Sequence, residues 1–302
     1  MSTVFYDDPE LHEIHTRLHS PDSTVRRIAL RDPAAEVRVE AAKALEAFES
    51  SDGVAGLVGA LCNADAAVRD APAQSLSELK HPESAGALLP HATHPQAFVR
   101  FAVLRALREL RVAASYEPAL AALADPDAAV RREAVSVLGY LKRAGALAPL
   151  TIIASHDPEP EVRRAALGAL GFAADDTVLP ALLAGLRDSA WQVREEAATT
   201  LGKLGLQPAA RPLIETLQDA YWQVRLRAAR SLGRLRCADA VPALAAALAH
   251  TISNVRKEAA LALGDIRNAA ALPALEKIQH DPDPDVRKAA RLALDQIRAA
   301  MN

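Results

Sequence analysis

Trp191-Gln-Val-Arg-Glu-Glu-Ala-Ala-Thr-Thr-Leu-Gly-Lys-Leu204 is the stretch on which the reading of this chain turns. Counting from Val193, apolar residues fall at Ala197, Ala198, Leu201 and Leu204. Those offsets share one side of a helix of about 3.6 residues per turn. Gly202 and Gly205 read as the punctuation that ends it. The Val-Arg pair near its head recurs at Val37-Arg38, Val68-Arg69, Val99-Arg100, Val130-Arg131, Val162-Arg163, Val224-Arg225, Val255-Arg256 and Val286-Arg287. Seven of the eight steps are 31 residues and one is 32, so a single structural unit repeats along the chain.

A second apolar pattern precedes each pair. Pro180-Ala-Leu-Leu-Ala-Gly-Leu186 reads as a short helix with Pro in its first turn, where the missing N–H costs no hydrogen bond. Pro118, Pro149, Pro212, Pro242 and Pro273 stand at matching places. Each period is therefore two helices, A and B, and two turns. Five residues before each Val stand Asp32, Asn63, His94, Asp125, Asp157, Asp188, Asp219, His250 and Asp281. The recurring Asp and the invariant Arg predict a ladder. Each Asp caps backbone N–H groups and meets an Arg of its own or a neighbouring unit. The nine arginines are thus assigned to structure, not to a free basic surface. One such hairpin cannot bury its apolar side alone, but stacked hairpins share a continuous core. The prediction is an all-α solenoid of about nine two-helix repeats over residues 20–298, as one elongated domain. A tail and cap helix occupy residues 1–19, and residues 299–302 are tail.

The unit Asp-x-x-x-x-Val-Arg-x-x-Ala-Ala-x-x-Leu-Gly-x-Leu resembles a HEAT-like repeat of the short variety found in phycobilin lyases. The likeness covers about residues 20–298. It implies the solenoid and leaves function open among chromophore lyases, deoxyhypusine hydroxylase, scaffolds and designed binding proteins, with DNA glycosylases in the wider helical-repeat group. The hydroxylase implies His-Glu pairs directly after Val-Arg, to hold two irons. Here those positions read Arg132-Glu133, Glu195-Glu196 and Lys257-Glu258, which argues against that activity. A bilin-lyase-like subunit is the enzymatic alternative, although no residue marks bilin chemistry. A repair glycosylase needs a basic groove with an aromatic and an acid. The tryptophans and Glu195 echo that arrangement, and the mixed charge opposes it.

Half of the 302 residues are apolar and 4% are aromatic, which suits close helix packing. The net charge of −3 does not describe a general polyanion binder, although a local patch can hide within the total. Cys62 and Cys237 stand far apart and form no metal-binding spacing. The first residues carry no apolar signal run, and no apolar run reaches the roughly 20 residues of a membrane span. The expected compartment is the cytoplasm. No phosphate loop, nucleophile elbow or zinc-protease motif is present. No catalytic residue, cofactor or metal is assigned, and isolated carboxylates such as Glu195 and Glu196 read as solvated. Two histidine groups stay open between a polar face and a metal site. His12, His15 and His19 share one face of the cap helix. His81, His91 and His94 cluster in the third unit.

Candidate contact residues come from departures in the pattern. Trp191 and Trp222 occupy the same place in adjacent units, and Tyr221 adds a third ring. Stacked units should set the two indoles side by side as a ledge for a partner protein, with Gln192, Gln223, Arg227 and Arg230 around it. A cover for the neighbouring turn is the structural alternative. Units two and three break several local rules together. Pro72 falls inside helix B, Pro90 inside helix A, and Phe98 and Phe101 flank Val99-Arg100, with Arg105 beyond. A partner pocket there competes with ordinary repeat drift. The expected function is a non-catalytic scaffold binding another protein along its concave face, with neither membrane nor nucleic acid as partner. The expected role is assistance in assembling or maturing an enzyme or a cofactor-bearing protein.

Overall fold

The computed structural model describes residues 16, 17, 20, 22–46 and 49–301. Apart from Thr16 and Arg17, the cap helix expected over 9–19 lies outside them, and His12, His15 and His19 with it. Every regular element among the described residues is an α-helix or a 3-10 turn.

One period shows how the sequence makes the unit. Helix B Trp191–Leu204 buries Val193, Ala197, Ala198 and Leu201 along one side. It stops at Gly205, whose φ of 68° is left-handed and whose N–H bonds to the Leu201 carbonyl. A 3-10 turn, Gln207–Ala209, then leads into helix A, Ala210–Thr216, with Pro212 in its first turn. A tight turn delivers the next helix B, Trp222–Leu235. At the matching helix ends Arg111, Lys142, Arg236 and Arg267 take the left-handed conformation with φ of 50–57°. That conformation costs an L-residue roughly 1 kcal/mol. A basic side chain there meets the negative end of the helix dipole. The one 32-residue step contains the longer helix A Leu147–His156, ten residues against seven in its neighbour Leu179–Gly185.

Gly202 does not end its helix. It lies buried inside Trp191–Leu204, where an added Cβ would come within 2.7 Å of the Ser231 Cα. Gly233 and Gly264 meet the Ala262 and Ala293 Cα atoms in the same way, at 2.8 Å. The repeated glycine is a notch that lets consecutive B helices touch backbone to backbone. Ser231 completes the contact by donating its hydroxyl to the Ala198 carbonyl at 2.7 Å.

The chain divides into two compact units, Met1–Lys142 and Arg143–Asn302. The B helices of the first are Ala35–Glu46, Ala66–Ser77, Ala97–Leu110 and Ala128–Leu141. Their core is Leu, Val and Ala, with Leu45, Leu76, Val99 and Leu107 almost wholly buried. Ser23–Ala29, capped by Asp22, is the A helix of the first repeat, so Val25-Arg26, a Val-Arg pair outside the 31-residue series, belongs to an A helix. Pro72 is buried within a helix that continues through it to Ser77. Pro90 does break its segment, which splits into Ala85–Leu88 and a 3-10 turn, Leu89–His91. The B helices of the second unit are Pro160–Ala169, Trp191–Leu204, Trp222–Leu235, Ser253–Ile266 and Pro284–Met301. The last of these runs on through Ala299, Ala300 and Met301, which had read as tail, with those residues exposed.

The ladder is present, and its direction is fixed. Each Asp sits in the turn before a B helix and accepts the N–H two residues on, as Asp188 does from Ala190 at 2.8 Å. In Asp125, Asp188, Asp219 and Asp281 the same carboxylate takes a two-pronged fork from the Arg of the preceding period, 25 residues earlier. Arg163 meets Asp188 at 2.7 and 2.8 Å, and Arg194 meets Asp219 at 2.6 and 2.9 Å. Arg100 with Asp125 and Arg256 with Asp281 repeat the geometry. The third nitrogen ties each Arg to its own turn, as Arg194 Nη1 does to the carbonyls of Asp188 and Ser189. Burial alone would raise the carboxyls of Asp188 and Asp219. The Arg fork and the backbone N–H outweigh it, and both lie below the ordinary carboxylate value.

Three rungs lack the acid. Asn63, His94 and His250 still accept the turn N–H, from Asp65, Gln96 and Ile252. None brings a negative charge to the preceding Arg. Among the described residues Arg38 Nε and Arg69 Nε are left buried without an acceptor. Arg225 Nε turns back onto the carbonyl of Asp219.

Candidate partner-binding face

In the second unit the aromatic residues stand at the first turns of two neighbouring B helices. Trp191 opens one of them, and Tyr221 is the N-cap residue of the next. Their rings stack with centres 5.6 Å apart and planes inclined by 15°. The expected pairing of the two indoles is therefore replaced by Trp191 on Tyr221. Homologous residues on adjacent helices are separated by about 8–10 Å. That exceeds a stacking distance, and the residue one place earlier reaches back across the gap. Trp222 is half-buried and has no ring partner among the described residues. Arg194, whose fork on Asp219 is complete, lies 5.6 Å from the centre of the Tyr221 ring. Tyr221 keeps 45% of its surface exposed. Two residues on, Gln223 Oε1 is buried and has no hydrogen-bond partner among the described residues.

The cations near this pair are engaged. Arg227 donates to Glu195 at 2.9 Å, and Arg230 forms a fork on Glu258 with both contacts at 2.7 Å. Glu258 is itself buried. Glu195 and Glu196 are not solvated carboxylates. Glu195 serves Arg227, while Glu196 packs against Gly168, where an added Cβ would approach its Oε1 to 3.0 Å. Burial pushes the Glu196 carboxyl above its ordinary value, Glu195 adds to that, and Arg164 and Arg227 pull the other way. These carboxylates and arginines stitch successive B helices together across one face. Sequence reading missed the stitching because its partners lie 28 to 32 residues apart with no shared motif.

In the first unit Phe98 and Phe101 are half-buried against the core, with ring centres 6.2 Å apart. The guanidinium of Arg69, which lacks its acid, lies 5.0 Å from the centre of Phe98. Cation–π contact supplies part of what the rung does not. Arg105 donates to Gln74 at 3.3 Å. Arg108 bridges to Glu133 at 2.8 Å. His91 and His94 have ring centres 6.4 Å apart, and His94 Nε2 is 3.8 Å from the Cys62 sulfur. Among the described residues no group of three or more His, Cys, Asp or Glu side chains is placed to hold a metal ion. No helix among them is long and apolar enough to cross a membrane.

Comparison with known proteins follows the same architecture. The family model described as HEAT repeats matches residues 21–108, 87–166, 116–202, 147–220 and 210–295, which together span most of the chain. No curated protein matches significantly. Among solved structures, an engineered protein is 22% identical over 95% of this chain and 91% of its own, with a TM-score of 0.55. The YibA protein of Escherichia coli is 20% identical over 98% and 99%, with a TM-score of 0.56. A structure of Kap95p with RanGDP matches at 14% identity over 96% of this chain and 50% of the other, with a TM-score of 0.65. At these identities the likeness is one of fold.

Proposed function

The chain belongs to the HEAT-repeat family, and on that premise we propose that it is a non-catalytic scaffold that binds a partner protein through the B-helix face of its second unit. The observation that carries this reading is the Trp191–Tyr221 stack with its 45% exposed tyrosine. Both rings are anchored at the starts of rigid helices, so a partner can be met without ordering a loop, and little conformational entropy is lost. Aromatic rings next to ion-paired arginines give a surface with an apolar centre and a polar surround, the usual anatomy of a binding hot spot. Trp222, Arg227 and Arg230 complete the patch. Phe98, Phe101 and Arg105 form a secondary patch on the first unit. Assistance in assembling or maturing the partner is the role that fits such a scaffold.

The test is affinity capture from the native host, with Trp191→Ala/Tyr221→Ala compared against the unaltered chain. A protein retained by the unaltered chain and lost from the variant, with helical circular dichroism unchanged, supports the proposal. Equal retention by both overturns it. So does an eluate holding a chromophore and no protein, which would favour a lyase-type role.

A further inference from the structure

We propose that a groove in the first unit binds an acidic peptide segment, taking its carboxylates on Arg27, Arg31 and Arg38. The groove has a volume of about 810 Å³ and is lined by these arginines together with Leu30, Gly56 and Asn63. Its charge is not neutralised from within. Asp32 is the one acid in the lining, and both its oxygens are occupied. Oδ2 receives Arg17 at 2.9 Å, and Oδ1 accepts the Ala34 N–H at 3.0 Å. Among the described residues no carboxylate lies within ion-pair distance of Arg27, Arg31 or Arg38. In the second unit Arg163, Arg194, Arg227, Arg230 and Arg256 hold acids, and Arg225, the ladder arginine without one, turns onto the Asp219 carbonyl.

Two further observations mark the groove as built for an anion. Arg38 is a ladder arginine whose acid has been exchanged for Asn63, and its Nε is buried with no acceptor. In the intact rungs the same edge of the guanidinium grips a carboxylate by two hydrogen bonds, the arrangement for which the Arg fork is best suited. Gly56 is the other. A Cβ at that position would come within 2.9 Å of the Arg27 side chain, so the bare glycine lets the Arg27 stem lie across helix Ser51–Ala60.

The size and lining select the class of ligand. A water takes about 30 Å³ in the liquid, so the space suits a chain segment and not a single ion. Leu30, Ala55 and Ala60 give the floor apolar ground for the small side chains between carboxylates. A single-stranded nucleic acid would be expected to find an aromatic stacking platform, and the lining contains no aromatic residue.

The experiment is fluorescence anisotropy of fluorescein-labelled hexaglutamate titrated with the full chain. Saturable binding that weakens as salt rises is expected. Arg27→Gln/Arg31→Gln should weaken it at least tenfold. Asn63→Asp should weaken it too, because it returns an acid to Arg38 while favouring the fold. Trp191→Ala/Tyr221→Ala should leave it unchanged, which separates this site from the aromatic patch. Absence of binding at low salt, or binding untouched by both groove variants, overturns the proposal. Tighter binding of a labelled oligonucleotide of equal charge, dependent on the same arginines, also overturns the peptide assignment.

Discussion

The first two junctions of the chain and the junctions of its second unit are built on one plan and finished differently. Arg163, Arg194 and Arg256 each close a fork on the Asp that follows 25 residues later, and Gly202, Gly233 and Gly264 bring the next backbone into contact. At the first two junctions Asn63 and His94 stand in place of the acid, so Arg38 and Arg69 have no carboxylate among the described residues, and Arg69 rests on Phe98 instead. Ser77 stands at the notch position of the second of these junctions, nine residues after Val68. The same arginine is therefore a structural clamp where its acid is present and an unfilled cation where it is not. The difference lies in one neighbouring residue.

Removing the clamp should expose that difference most clearly. Arg194→Ala leaves the part-buried Asp219 without its cation and should cost about 3 kcal/mol, the low end for a broken buried pair, read from the shift in urea unfolding. Arg38→Ala loses only hydrogen bonds to the Asp32 and Pro33 carbonyls and should cost about 1–2 kcal/mol. Equal losses would show that the fork adds nothing. The gap between the variants has a defined dependence on pH. Asp188 and Asp219 titrate below their unfolded value in the fold, so their contribution is present above about pH 4 and is lost as the pH falls through the folded value. The Arg194→Ala chain and the unaltered chain should therefore converge in acid.

The notch gives the second comparison. Gly202→Ala drives a methyl toward the Ser231 backbone and should cost about 1–3 kcal/mol. Ser77→Ala, at the matching position of the first unit, should fall within about 1 kcal/mol in the same unfolding assay.

The smallest effect is a repair. His250 stands between Arg225 and Arg256, and burial first, then both cations, hold its imidazole below the ordinary value. Unfolded chains take up that proton more readily, so the unaltered protein should lose stability as the pH falls from about 6.5 through the folded value. His250→Asp would give Arg225 the missing acid. It should raise the melting temperature modestly at pH 8, by about 1 kcal/mol in stability, and remove that part of the decline at pH 5.5. No gain by calorimetry would mean that Arg225 is satisfied by the Asp219 carbonyl alone.

These contrasts also show where the sequence was legible. The repeat and the Asp–Arg ladder could be read because both recur at one period, and recurrence signals a shared physical role. Which neighbour each Arg serves depends on how the helices stack, and spacing along the chain does not carry that. Gly202 was misread because a helix end and a tight helix contact both call for glycine. The aromatic pair was misassigned because equivalence in sequence places two rings one helix spacing apart, whereas contact requires less. Arg227 and Arg230 looked free because the acids that hold them, Glu195 and Glu258, lie on other helices.

The rung that links residue n to residue n + 25 has a consequence for how such a chain grows. Copying residues 191–221 in tandem would place an Asp 25 residues after each copied Arg194, and Asp188 would still face Arg163. The added junction would inherit a complete fork without any compensating change elsewhere. Lengthening by whole periods is thus open to a single duplication event, while a partial copy would strand a charge and be selected against.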